Sequence, residues 1–172
     1  NIDEGQRRRC GKLFISEGSK FPEDSIVYHA AWQRGRPFSE DALKKLTESI
    51  LRFHGDRAYP FAVVKLEELR DKEGEVSPLF SIEANDRFYF GNVSIPGGEK
   101  IKRKVLDRIT KIETGSPFGE MALEKAGGRL RKSTMFESVD SAMLSIRSGY
   151  RIIDVSIGVR EGTRNEAEGI LG

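Results

Sequence analysis

Residues 34–55 read "RGRPFSEDALKKLTESILRFHG", and the order of signals within them sets the fold. Pro37 cannot donate to a strand ladder, so it breaks any extended segment that precedes it. Ser39 stands where a helix N-cap belongs, and Phe38 is placed to staple against Leu43. Leu43, Leu46, Ile50 and Phe53 then recur at helical spacing, and Gly55 is placed to end the helix as a C′ residue.

Working outward, "SIVYHAAWQ" (25–33) alternates Ile26, Tyr28, Ala30 and Trp32 against Val27, His29 and Ala31. That reads as a strand, apolar on both faces and therefore central. On the other side, "YPFAVVKLEEL" (59–69) is rich in β-formers, and "RDKEGE" (70–75) is a charged turn. "PLFSIEA" and "RFYFGNVSI" flank Asn85-Asp86, a hairpin turn pair. "IPGGEKIKRKVLDRITKI" (95–112) reads as a helix carrying Ile101, Val105, Ile109 and Ile112 on one stripe. A Gly-punctuated segment spans 115–128. "SVDSAMLSIRSG" reads as a third helix with Val139, Met143 and Ile146 inward, Ser138 as cap and Gly149 as stop. In "YRIIDVSIGVR", Ile153, Val155, Ile157 and Val159 alternate strictly with Asp154, Ser156, Gly158 and Arg160, the mark of a half-buried strand.

These elements predict an α+β fold: one domain over 12–160, a mainly antiparallel sheet and two or three amphipathic helices. A polar Arg-rich arm (1–11) and a polar tail (161–172) flank it. Regular βαβ alternation, which a doubly wound fold needs, is absent, and no internal repeat or low-complexity tract is evident. The segment 79–84 reads as an edge strand that could pair between chains, though nothing in its residues requires it.

At 172 residues, with 37% hydrophobic and 33% charged side chains, the chain suits a densely charged globular protein. The single cysteine, Cys10, excludes an internal disulfide and a cysteine metal cluster, and reads as incidental to the arm, where Arg7, Arg8 and Arg9 would lower its thiol pKa. Asn92-Val93-Ser94 matches a glycosylation acceptor, but no signal peptide is seen and apolar runs are too short to cross a bilayer. A reducing, intracellular location is the resulting expectation, while the absence of an initial Met leaves room for an upstream segment.

Net charge is +2, yet residues 97–132 hold ten Lys/Arg against five Asp/Glu. Lys100, Lys102, Arg103, Lys104, Arg108 and Lys111 fall mainly outside the apolar stripe of 95–112, and Arg129, Arg131 and Lys132 follow soon after. Converging, they would attract the phosphates of RNA or of an anionic membrane surface. The plainer alternative is a solvated helix face. Gly97-Gly98-Glu99-Lys100 fails the phosphate-loop spacing, and Glu99 would repel an anion. Phe88, Tyr89 and Phe90 would serve as base-stacking platforms only if exposed, and strand alternation sends Phe88 and Phe90 inward.

Chemistry finds little support. His29 reads as a core histidine of a strand, and His54 ends a helix, where the dipole favours a cation. No zinc spacing, nucleophile elbow or dinucleotide fingerprint is present. Glu120 and Glu124, four apart, are an available carboxylate pair. No cofactor or metal is implied.

The order of an aromatic strand from Ile26, Arg36-Pro37-Phe38, a capped helix, then Tyr59-Pro60-Phe61 and an aliphatic strand to Val64 resembles the core of rhabdovirus matrix proteins. That resemblance implies a self-associating structural protein, a homo-oligomer, contacting ribonucleoprotein and the inner membrane surface from the cytoplasm or within a virion. A budding motif and a long Lys-rich arm, both expected of that family, are missing. The expected function is therefore a non-enzymatic assembly protein binding polyanions through residues 97–132. Two alternatives stand beside it: a cytosolic protein-binding adaptor, and an enzyme using carboxylate and Arg chemistry.

Overall fold

A computed structural model describes residues 8–16 and 18–162. The expected tail therefore lies, from residue 163 on, outside the described residues, as does the arm up to Arg7. The fold is α+β, with nine strands and four helices among the described residues. They gather into two compact units, the first comprising residues up to Phe88 with Phe118–Glu120, the second Tyr89–Pro117 with Met121 onward.

In unit 1, strands β1 (Arg9–Cys10) and β2 (Phe14–Ile15) are followed by α1 (Glu23–His29), α2 (Glu40–Gly55), β3 (Val63–Lys72) and β4 (Glu75–Glu83). β4 is central: β1 and β2 pair with it in parallel, and β3 pairs antiparallel along its whole length. The β3–β4 hairpin turns at Glu73 and Gly74, with φ of 54° and 80°, a conformation that glycine adopts freely. Segment 79–84 is thus the middle of the sheet rather than an edge.

Helix α2 forms as its sequence dictates. Ser39 Oγ accepts the Ala42 N–H at 3.1 Å, and Leu46, Ile50 and Phe53 are buried against Leu13, Ile26, Phe80 and Ile82. Gly55, however, is the last helical residue and not a left-handed cap; the C-cap is Asp56, at φ −69°. A Cβ at Gly55 would meet the Glu120 side chain.

Residues 25–33 are not a strand. Pro22 occupies the N-cap, Glu23 and Asp24 favour the positive end of a helix, and the chain leaves α1 at Ala30 in an extended conformation. A strand would bury Tyr28 beside Ile26; instead Tyr28 is 85% exposed and Ile26 and Ala30, four apart, face inward.

Unit 2 runs β5 (Tyr89–Ser94), α3 (Arg103–Thr110), α4 (Glu120–Lys132), β6 (Phe136–Val139), β7 (Met143–Ile146), β8 (Ile152–Ser156) and β9 (Val159–Glu161). β8 lies between β5, parallel, and β7, antiparallel; β6 pairs antiparallel with β9. The alternation in 150–160 holds, with Ile153, Val155, Ile157 and Val159 all buried. Two expectations fail here. Asn85-Asp86 joins no hairpin, because β4 and β5 belong to different sheets. The Gly-punctuated segment, to which the sequence pattern assigns no element, contributes most of α4. Residues 136–146 are strands, because β8 and β9 need antiparallel partners and recruit them there, overriding a three-residue helical stripe.

Candidate functional site

Both units share one plan: strand at the start, two helices, then strands, with a central strand (β4 or β8) paired in parallel to the opening strand or strands (β1 and β2, or β5) on one side and antiparallel to the strand before it (β3 or β7) on the other. The repeat is written in the sequence after all. Residues 35–46 (GRPFSEDALKKL) and 115–126 (GSPFGEMALEKA) match at Gly, Pro, Phe, Glu, Ala, Leu and Lys.

These matched residues lie along the outer side of β1 in unit 1 and of β5 in unit 2. In unit 1, Gly35 N–H donates to Cys10 O and Cys10 N–H to Arg36 O, both at 2.7 Å, and Phe38 N–H donates to Arg8 O at 3.0 Å. In unit 2, Gly115 N–H donates to Phe90 O at 2.7 Å and Phe90 N–H to Ser116 O at 2.9 Å. Pro37 bridges Arg9 as Pro117 bridges Tyr89. Gly35 and Gly115 sit at φ +83° and +84° with nothing within 4 Å of a would-be Cβ, so conformation alone demands glycine. A proline-bearing loop laid along an edge blocks further strand addition there.

The opposite edges are open. Among the described residues, β3 pairs with β4 alone and β7 with β8 alone. The two differ in character. β3 carries a bulge between Leu66 and Glu68, and its charges are answered within unit 1: Lys65 by Glu83 (3.2 Å), Arg70 by Glu68 (2.8 Å) and Asp71 by Arg8 (2.9 Å). Bulges and charges are devices that discourage edge pairing. β7, "MLSI", has neither. Its Leu144 and Ile146 stand opposite buried Val155 and Ile153 yet are 49% and 53% exposed, and Met143 is 74% exposed. The outer face beside it is fixed by Asp154, which accepts the Asn92 N–H (2.6 Å) and pairs with Arg147 (2.7 Å). The Asn92 bond and Arg147 hold its carboxyl below the ordinary carboxylate range.

The basic residues are placed as follows. Helix α3 starts only at Arg103, and its buried side is Leu106 and Thr110; Ile112 is buried beyond its end, while Ile101, Val105 and Ile109 are half-buried. Arg103 pairs with Asp107 at 2.7 Å and Lys100 approaches Glu161 at 3.9 Å. Arg129 donates to the carbonyls of Ile109 and Thr110, both at 2.8 Å, satisfying the end of α3. Lys102, Lys104, Arg108, Lys111, Arg131 and Lys132 are exposed. Gly97 gives its N–H to Glu99 (2.9 Å), so the Gly-Gly turn closes on its own carboxylate. Phe90 is buried and Phe88 packs edge-on to Phe61, so neither is a base platform.

The histidines exchange roles. His29 ends α1 exposed, its Nδ1 2.8 Å from Ser25 O, whereas His54 is fully buried. Cys10 is buried within β1, and burial pushes its thiol pKa up, opposite to the effect expected from flanking arginines. Among the described residues no three His, Cys, Asp or Glu are grouped to hold a metal, and no helix is long and apolar enough to cross a membrane.

No family model matches the chain. Solved structures do. BamA from Haemophilus ducreyi lacking POTRA domains 1–3 matches with a TM-score of 0.71 at 20% identity, over 90% of this chain and 29% of that one. BamA POTRA3–5 from Haemophilus influenzae matches with 0.69 at 17%, over 92% and 63%. The likeness is one of fold. POTRA1–2 of the periplasmic domain of Omp85 from Anabaena matches with 0.51 at 12%, over 89% of this chain and 94% of that one, which agrees with two repeats. The chain spans less than two thirds of the two BamA chains.

These findings overturn the matrix-protein resemblance. The strand on which it rested, 25–33, is helix α1, and the fold is that of POTRA domains. The polyanion-binding assembly role and the cytoplasmic or virion location were inferred from that resemblance and fall with it; the structures that share the fold are POTRA domains of BamA and of a periplasmic Omp85 domain.

Proposed function

We propose that this chain is a tandem of two POTRA-like units that binds extended polypeptide in the periplasm, without catalysis, as part of an envelope protein-assembly apparatus. The protein-binding alternative from the sequence survives in altered form, moved out of the cytosol. The observation that carries the reading is the asymmetry of the sheets around β4 and β8: a Gly-x-Pro-Phe loop lies along β1 or β5 on one side, and β3 or β7 is left unpaired on the other. An unpaired edge offers a row of backbone donors and acceptors that an incoming strand satisfies, with side-chain pockets setting preference. β7 is the preferred edge, because β3 is guarded by its bulge and charges. Leu144 and Ile146 select apolar residues at alternate positions of the added strand.

The test uses a short peptide of alternating valine and serine and the full chain. Binding is expected to shift the backbone amides of Met143–Ile146 in NMR spectra. Leu144→Glu with Ile146→Glu is expected to weaken it at least tenfold while the β8 amides stay protected. Binding that maps elsewhere, or survives the double substitution, refutes the reading.

A further inference from the structure

His54 lies at the end of α2 with no surface exposed. Its Nδ1 is 2.8 Å from the Ile50 carbonyl oxygen, which can only accept, so Nδ1 carries the proton. Nε2 is then the site that would take a second proton, and it lies 3.5 Å from Ser19 Oγ. Ser19 Oγ also accepts the Phe21 N–H at 3.1 Å. Phe21 completes the cage: its ring meets Phe53 at 5.2 Å and Tyr59 at 5.6 Å, both near perpendicular, and His54 at 5.4 Å with the planes 67° apart. One imidazole thus touches both the α2 helix and the segment that leads into α1.

The surroundings disfavour a charge there. Arg57, from the turn after α2, stacks its guanidinium 3.7 Å over Phe53 and 5.9 Å from Phe21. Ionisable groups on the surrounding elements include Lys20 between Ser19 and Phe21, Asp56 and Tyr59 in that turn, His29 of α1 with its ring 5.1 Å from Phe53, and Glu120, whose carboxylate lies against Gly55. Burial, with Arg57 adding repulsion, holds the His54 pKa below its ordinary value. The position eighty places on is Thr134, which cannot titrate in this range.

We propose that His54 is an acid-sensitive latch on unit 1: protonation at Nε2 releases the Ser19–Phe21 segment and loosens this unit while unit 2 stays closed. The direction follows from linkage. A histidine whose native pKa is depressed binds protons more readily once the unit opens. No penalty exists above the ordinary histidine pKa; as pH falls below about 6.5, opening is favoured by up to tenfold per pH unit, until the native pKa is reached. This latch is independent of which polypeptide the strand edges take.

The test follows the full chain by NMR from pH 7.5 to 4.5, reading the His54 ring and hydrogen exchange corrected for intrinsic pH dependence. The expected result is loss of protection at Ser19–Phe21 that tracks His54, with β8 unchanged. His54→Gln, which keeps a donor for Ile50 O, is expected to abolish the response; His29→Gln and Glu120→Gln are expected to keep it. If His54→Gln does not fold, the wild-type titration decides alone. A His54 midpoint at or above 6.5, opening that does not follow it, or a response lost with His29 or Glu120 overturns the proposal.

Discussion

Replacing Gly35 and Gly115 by alanine, one at a time, tests whether the two units are built alike. Both glycines have φ near +83°, and neither has an atom within 4 Å of a new Cβ, so clash plays no part. Holding an L-residue in the left-handed region costs about 1–2 kcal/mol, and alanine recovers about 0.4–1 kcal/mol by stiffening the unfolded chain. The net loss is about 1 kcal/mol in either unit, a shift of the urea midpoint of roughly 0.3–1 M for an m-value of about 1–3 kcal/mol/M. Trp32, the only tryptophan, reports unit 1, and hydrogen exchange at β8 reports unit 2. Asparagine at either site is expected to restore part of the loss, because it tolerates this conformation. A neutral alanine would refute the backbone argument, and a large effect in one unit only would refute the equivalence of the loops.

Leu46→Ala is expected to lower the stability of unit 1 by about 2–5 kcal/mol, read from urea unfolding by Trp32 fluorescence, because Leu46 is completely buried in its core. Arg129→Met keeps length and loses both bonds to the α3 carbonyls; a loss of about 1–3 kcal/mol is expected in unit 2, with fraying of Ile109 and Thr110 in hydrogen exchange. Asp154 has a depressed pKa, so what it contributes is present above the ordinary aspartate value and is lost as pH falls through its native pKa. Asp154→Asn is therefore expected to flatten the acid limb of unit 2 stability below about pH 4, measured by circular dichroism.

Much of this fold was legible where local and tertiary demands agree. Ser39, the Leu46–Ile50–Phe53 spacing and the alternation from Ile153 to Val159 each gave elements that form as expected. The failures have physical causes. Helix α1 is only seven residues long, and its apolar neighbours alternate as a strand would, so Pro22 and two acids decide against the pattern. Val139, Met143 and Ile146 form a helical stripe, but residues 143–146 pair with β8, whose need for a partner is invisible locally. The repeat escaped because the units agree mainly at the turn glycine, the proline and a few helix positions, while their faces diverge: α1 is acidic and aromatic, α3 basic. That same divergence makes Lys102, Arg103 and Lys104 conspicuous in the sequence, whereas Leu144 and Ile146 have the composition of core residues and are exposed only because the edge is uncovered.

The central claim, that an extended polypeptide adds at β7 and not at the edge closed by the proline loop, is tested most directly by site-specific photocrosslinking. A photoreactive residue would be placed at Met143, or at Ser116 as the closed-edge control, in the presence of the alternating valine–serine peptide. Crosslinks are expected from position 143, competed by unlabelled peptide, with background yield from position 116. Equal yields from both positions, or a higher yield from 116, would contradict it.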